Sequence, residues 1–284
     1  MRLRKRHSPP SVVVEAFGAQ VQVALEVSEL RERVEEILPP NWGPCDVTEA
    51  TGQFGLRQTD AESYEVTVDG MPWLVHATLD VALSMLDAQI RLFIATNAHD
   101  RIFVHAGVVA TGGKALVIPG ESFSGKTTLV SAMVELGATY YSDEYAVLDD
   151  QGRVHPYPRR LSIRGANGSA TEERHVAELG GAAAVGSAEL AAVVVTRYRP
   201  GAEWQPERVS TGQGVLALLA NTVPARERPQ ESLRAVSRAA AGAIVLDGDR
   251  GEAGSAAQAM LDALAAHPLT KSPPPDRSGA GGRS

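Results

Sequence analysis

Apolar residues dominate positions 12–17 and 21–25, and both runs predict β-strands. Ser28 is placed to cap a short helix in which Leu30, Val34 and Leu38 share one face, and Pro39-Pro40-Asn41 ends it. Residues 64–68 and 71–77 are strand-like and flank Asp69-Gly70, a two-residue hairpin signature. Over 78–96 the period lengthens. Leu79, Leu83, Leu86, Ile90 and Phe93 recur at helical spacing, which predicts an amphipathic helix that Asn97-Ala98-His99-Asp100 stops. Residues 1–100 thus read as a small α+β module for packing or substrate docking, with no phosphate, metal or nucleophile pattern.

From Arg101 strands and helices mix. Residues 102–110 and 115–119 predict strands around the turn Thr111-Gly112-Gly113, and a helix over 127–136 closes at Gly137. Residues 139–148 read as one strand, 154–157 and 161–164 as short strands, 172–180 as a helix and 181–187 as a small-residue loop. A valine-rich buried strand follows over 190–197, then helices over 211–222 and 230–241, a strand over 243–246 and a closing helix over 252–267. This mixture predicts an α/β domain over 101–268. Residues 269–284, rich in proline and glycine, cannot bury a core and read as a disordered tail.

The candidate chemistry begins in that second part. Gly120-Glu121-Ser122-Phe123-Ser124-Gly125-Lys126-Thr127 fits the G-x-x-x-x-G-K-[ST] phosphate-loop pattern at every position, with a strand before it and a helix after it. Such a loop turns backbone N–H groups and a helix N-terminus toward an anion. In that arrangement residues 120–128, through Thr128, cradle a nucleotide, Lys126 reaches its β and γ phosphates, and the Thr127 hydroxyl binds Mg²⁺. Asp143 lies seventeen residues beyond Lys126 with Glu144 beside it, late in the next expected strand. There a carboxylate can hold the metal or handle the proton of the nucleophile. Neighbouring side chains on a strand leave opposite faces, so the two carboxylates both face the phosphates only if the strand has already ended.

Charge and cysteine content narrow the partners. The formal net charge of −7 gives no call for nucleic acid. The opening Met1-Arg2-Leu3-Arg4-Lys5-Arg6-His7 is basic but has no apolar core after it, so it does not read as a secretory signal, and no run is long enough for a membrane span. The single cysteine, Cys45, forms no internal disulfide, and a reducing cytoplasm is the expected setting.

Residues 105–164 resemble the catalytic domain of the HPr kinase/phosphorylase family, and look closest to the HPr kinase-like proteins that accompany peptide-modification gene clusters. The resemblance rests on His105, twenty-one residues before Lys126, on the acidic pair Asp143-Glu144, and on Leu161-Ser162-Ile163-Arg164-Gly165. It implies a phosphate-loop kinase domain of the HPr kinase/phosphoenolpyruvate carboxykinase-like type, with ATP and Mg²⁺ as cofactors. It implies transfer of the γ-phosphoryl group to a hydroxyl, a serine of a peptide or protein. Asp143 then accepts or orients the hydroxyl proton and holds metal with Thr127, His105 donates to or orients the transferring group, and Arg164 pairs with phosphate. Arg226 and Arg228 are further candidates for stabilising transferred charge. The family forms ring-like assemblies, which implies a homo-oligomer, although the residues themselves leave this open. The chain departs from the family pattern at Ser162, where the family has a metal-binding glutamate, and in its first hundred residues. A non-catalytic ATP-binding regulator and a small-molecule kinase of the same fold remain as alternatives.

Overall fold

The structure, a computed structural model, describes residues 10–46, 50–120, 124–164 and 171–268. The expected tail at 269–284 lies outside them.

The chain opens with β1 (Ser11–Ala16), β2 (Ala19–Leu25) and α1 (Arg31–Ile37), then β3 (Gly43–Pro44), β4 (Gly52–Gln58), β5 (Tyr64–Val68), β6 (Met71–Ala77) and α2 (Leu79–Asn97). These strands form one six-stranded sheet in the order β3-β1-β2-β4-β5-β6. Alternation sets which face is buried: Val12 and Val14 of β1 and Val21, Val23 and Leu25 of β2 point into the core. Leu83, Leu86, Ile90 and Ile94 of α2 pack on that face. The same core takes in Phe103, Tyr145, Val147 and Tyr157 from beyond residue 100. Packing is thus continuous across residue 100, and this places α2 beside the second sheet.

The second part contains β7 (Ile102–Thr111), β8 (Lys114–Pro119), α3 (Lys126–Glu135), β9 (Thr139–Ser142), β10 (Tyr145–Leu148), β11 (Arg153–His155), β12 (Leu161–Arg164), β13 (Thr171–Arg174) and β14 (Ala188–Tyr198). It continues with β15 (Glu207–Arg208), α4 (Thr211–Ala220), α5 (Pro229–Ala240), β16 (Ile244–Arg250) and α6 (Ala253–Ala266). Seven strands follow the order β11-β10-β7-β8-β14-β16-β15, and β9 also pairs with β7. Strands β8, β14 and β16 run parallel, so their C-terminal ends share one edge of the sheet. Residues of α3 and α6, including Leu129, Val130, Met133, Met260 and Leu264, bury one face together with Leu116, Ile118 and Val194. The protein is mixed α/β with several sheets.

Three expectations are corrected. Residues 139–148 are two strands, because Ser142 is fully buried and its Oγ accepts from the N–H groups of Glu144 (3.0 Å) and Tyr145 (2.9 Å). That local bonding takes the chain out of extended geometry at Asp143 and Glu144. Residues 172–180 are not a helix. Strand β13 pairs with β12 and only Val176–Leu179 forms a 3-10 turn. Ser28 does not cap α1: a 3-10 turn at Ser28–Leu30 precedes the helix, and the Ser28 hydroxyl bonds the neighbouring Glu29 carboxylate. Among the described residues no helix is long and apolar enough to cross a membrane.

Candidate active site

Gly125 and Lys126 stand where β8 has given way to α3. Gly125 caps the helix in the left-handed region, at φ 81° and ψ 19°, a conformation that costs glycine little. Gly107 on the neighbouring β7 serves a different purpose. A Cβ there would lie 2.7 Å from Val130 Cγ2 and 3.5 Å from Lys126 Cβ, so only glycine lets β7 pass this close beneath the loop helix. Lys126 Nζ donates to Ser124 Oγ at 3.5 Å. Thr128 follows in the first turn of α3. Gly120 ends the approach from β8, and its N–H donates to the His105 carbonyl at 3.2 Å. Glu121, Ser122 and Phe123 lie outside the described residues.

The strand break brings the acidic pair to this helix and separates its two members. Thr127 Oγ1 donates to Asp143 Oδ2 at 3.0 Å, and the Tyr140 hydroxyl donates to Asp143 Oδ1 at 2.8 Å. Burial pushes the Asp143 carboxyl above its usual value, and the hydrogen bonds from Tyr140 and Thr127 pull the other way. Burial and the Asp143 charge push the Tyr140 hydroxyl well up, so it stays a donor. Glu144 points elsewhere, to Arg91 of α2, with Arg91 Nη1 at 2.8 Å from Glu144 Oε1. Arg91 Nε is 3.2 Å from Asp87 Oδ2, and Arg159 holds the same Asp87 through both guanidinium nitrogens at 2.7 and 2.9 Å. Two cations and two anions thus tie α2 to the candidate site. Arg91→Ala removes a shared partner of two carboxylates in a setting where its side chain is 18% exposed, and the expected cost is about 2 kcal/mol. Urea unfolding checks this, and a change below ~0.5 kcal/mol would mean that solvent already screens the network.

His105 lies on β7, its ring 4.8 Å from that of Tyr145 between centroids. Burial pushes its imidazole below the ordinary value, Glu144 opposes this, and Lys126 and Arg91 add to it. A neutral ring is favoured, one that donates from one nitrogen and accepts at the other. Ser162 is exposed on β12, on the opposite face from Leu161 and Ile163, which pack in the core with α3. Glu173 of β13 stands directly across from it. Arg164 ends β12, and its side chain lies outside the described set. Arg228 is committed elsewhere: it donates to the carbonyls of Ala98 at 2.7 Å and Thr96 at 3.1 Å. The C-terminal carbonyls of α2 lack helical partners and take this guanidinium, so Arg228 is withdrawn as a candidate for transferred charge. Arg226 follows the 3-10 turn at Val223–Ala225.

The residues present fit a magnesium-bound triphosphate. Thr127 and Asp143 supply two hard oxygen donors at a helix N-terminus, and Lys126 supplies a point charge. Among the described residues no group of three or more His, Cys, Asp or Glu could hold a metal by itself. Mg²⁺ needs no such cage, since it is commonly held by one or two side-chain oxygens with the phosphates and water completing its shell. Residues that motif reading did not single out also stand here: Tyr140, Arg91 and Arg250, whose Nη2 donates to the Gly125 carbonyl. Tyr140 lay three residues from Asp143 in the sequence, whereas Arg91 and Arg250 are brought in from distant elements and left no local signal.

No protein-family model and no curated protein matches the chain. Among solved structures it is similar to the Hpr(Ser) kinase/phosphatase from Coxiella burnetii, at 14% identity and a TM-score of 0.30, over 57% of this chain and 93% of that one. At that score the likeness decides neither fold nor chemistry.

Proposed function

We propose that the protein is an ATP-dependent kinase that transfers the γ-phosphoryl group to a hydroxyl, a serine of a peptide or protein. The observation that carries this reading is the Thr127–Asp143 hydrogen bond of 3.0 Å. It joins the hydroxyl of a phosphate-loop motif to a half-buried carboxylate from the break between β9 and β10, the two oxygens this chemistry requires side by side. ATP with Mg²⁺ would supply the transferable group and neutralise its charge. The chain's own residues do the rest. Lys126 presents a cation to the phosphates, and the backbone at Gly125 opens α3 toward an anion. Asp143 takes the acceptor's proton at a carboxylate oxygen, since each oxygen keeps a lone pair beyond its present bond. Tyr140 fixes that carboxylate in orientation. His105, neutral and against Tyr145, is placed to orient the transferring group.

The competing reading, an ATP-binding regulator without turnover, is favoured by Ser162, an exposed hydroxyl where the resembling family has a carboxylate. A peptide-dependent release of ADP supports the kinase; tight ATP binding with none supports the regulator. The metal gives a second check. Ser162→Glu is expected to lower the Mg²⁺ concentration needed for half-maximal transfer. An unchanged Mg²⁺ titration would show that position 162 is remote from the metal.

A further inference from the structure

Arg250 ends β16, next to β14 in the parallel part of the sheet, and is 3% exposed. Its Nη2 donates to the Gly125 carbonyl at 3.1 Å and its Nη1 to the Gly251 carbonyl at 3.1 Å. Its Nε is buried and has no hydrogen-bond partner. A Cβ on Gly125 would sit 2.5 Å from Nη2, so the guanidinium occupies the room that the glycine leaves. The Tyr198 ring covers it, with its centroid 5.5 Å from the guanidinium carbon.

The hydrogen-bond and ring partners of this cation are neutral, and Glu252 reaches it only through its charge. The nearby carboxylates are engaged with other groups: Asp247 and Asp249 hold Arg197, Asp249 also holds Arg199, and Glu252 accepts from the Tyr198 hydroxyl. A buried ion without a directly paired counter-ion is costly, and proteins retain one where something else compensates it. Burial accordingly pushes the guanidinium pKa below its ordinary value. The location says what the missing anion is. Strands β8, β14 and β16 are parallel and end at Pro119, Tyr198 and Arg250, so their C-terminal ends share one edge. At this edge lies the phosphate-loop motif itself.

We propose that Arg250 is a positioning residue of the phosphate loop, and that its charge, which no carboxylate pairs directly, is met by the polyphosphate of a bound nucleotide. This rests on the reading of the loop as an ATP site. Arg250 holds Gly125 from beneath and adds a fixed positive charge behind the loop. It is not needed to satisfy the Gly125 carbonyl, which also accepts from the Leu129 N–H at 3.2 Å.

The test uses the full chain, titrated with ATP and Mg²⁺ and melted without ligand, as wild type, Arg250→Met and Arg250→Gln. Methionine removes the charge and keeps much of the volume. The expected result is a Kd raised tenfold or more together with a ligand-free melting temperature that holds or rises, because a buried unpaired charge has gone. A Met variant that binds ATP within twofold of wild type overturns the proposal. So does one whose melting temperature falls in step with its affinity, the pattern of a brace with no charge role. Glutamine drops the charge and keeps a polar amide in the same space, so it decides the matter if the Met variant does not fold. Weakening by tenfold supports the proposal and unchanged binding overturns it. A wild-type protein that fails to bind ATP removes the ATP reading and this inference with it, an outcome distinct from normal wild-type binding with unaffected variants.

Discussion

Lys126→Ala is expected to abolish phosphoryl transfer, with a loss of at least ~10²–10³-fold, and to weaken ATP binding roughly 30-fold. The two numbers have different sources. The ground state loses one charge-assisted contact to phosphate, worth about 2 kcal/mol. The transition state loses more, because negative charge spreads over the transferring oxygens as the bond loosens. The fold should survive, since the apolar anchoring of α3 comes from Leu129, Val130, Met133 and Val134. Isothermal titration and thermal melting of the variant separate the effects. A folded Lys126→Ala protein with full activity would remove the phosphate loop from the chemistry.

Asp143→Asn is expected to keep near-normal ATP affinity and lose about a hundredfold in single-turnover transfer, the usual range for a missing general base. The substitution preserves shape and leaves an oxygen to accept from either Thr127 or Tyr140. Glu144→Gln should lose less, because Glu144 is turned toward Arg91 and takes no part in the Thr127 contact. If Asp143→Asn loses affinity for ATP and Mg²⁺ as steeply as it loses transfer, the residue holds metal and no proton. A pH test follows from burial. The folded carboxyl is raised above its unfolded value. The stability linked to its proton is therefore fully present below the unfolded pKa and is lost as pH rises through the folded one. Asparagine carries no such loss. The ligand-free variant should therefore melt above wild type at neutral pH, with the gap closing toward acid. A gap independent of pH would contradict the raised carboxyl.

Much of the fold was legible because its strands and helices carry strong periods. The α2 pattern placed Leu83, Leu86 and Ile90 inward, and all three are buried. The hairpin at Asp69-Gly70 was legible from its turn, and β5 pairs with β6 around it. Strand β4 was not, since Gly52 and Gly55 weaken the pattern. They are there for packing: a Cβ on Gly52 would lie 2.7 Å from the Phe93 ring, and one on Gly55 would strike the Thr67 hydroxyl. The break at Asp143 was hidden because strand-like residues flank it on both sides, Tyr140-Tyr141 before and Tyr145-Ala146-Val147-Leu148 after, and the buried Ser142 hydroxyl that bends the chain reads as an ordinary strand residue. At the candidate site the loop and the acidic pair were legible from spacing. Arg91, which holds Glu144, and Arg250, which holds the Gly125 carbonyl, were not, because they arrive from α2 and β16 and only tertiary packing brings them there.

The most direct test of phosphoryl transfer is a single-turnover reaction with γ-labelled ATP, Mg²⁺ and a serine-containing peptide library, run on wild type and on Asp143→Asn. Label on peptide serine with wild type, reduced about a hundredfold in the variant, is the predicted result. ATP bound tightly by the wild-type protein, with no label leaving it for any peptide, would contradict the kinase reading and leave a nucleotide-binding regulator in its place.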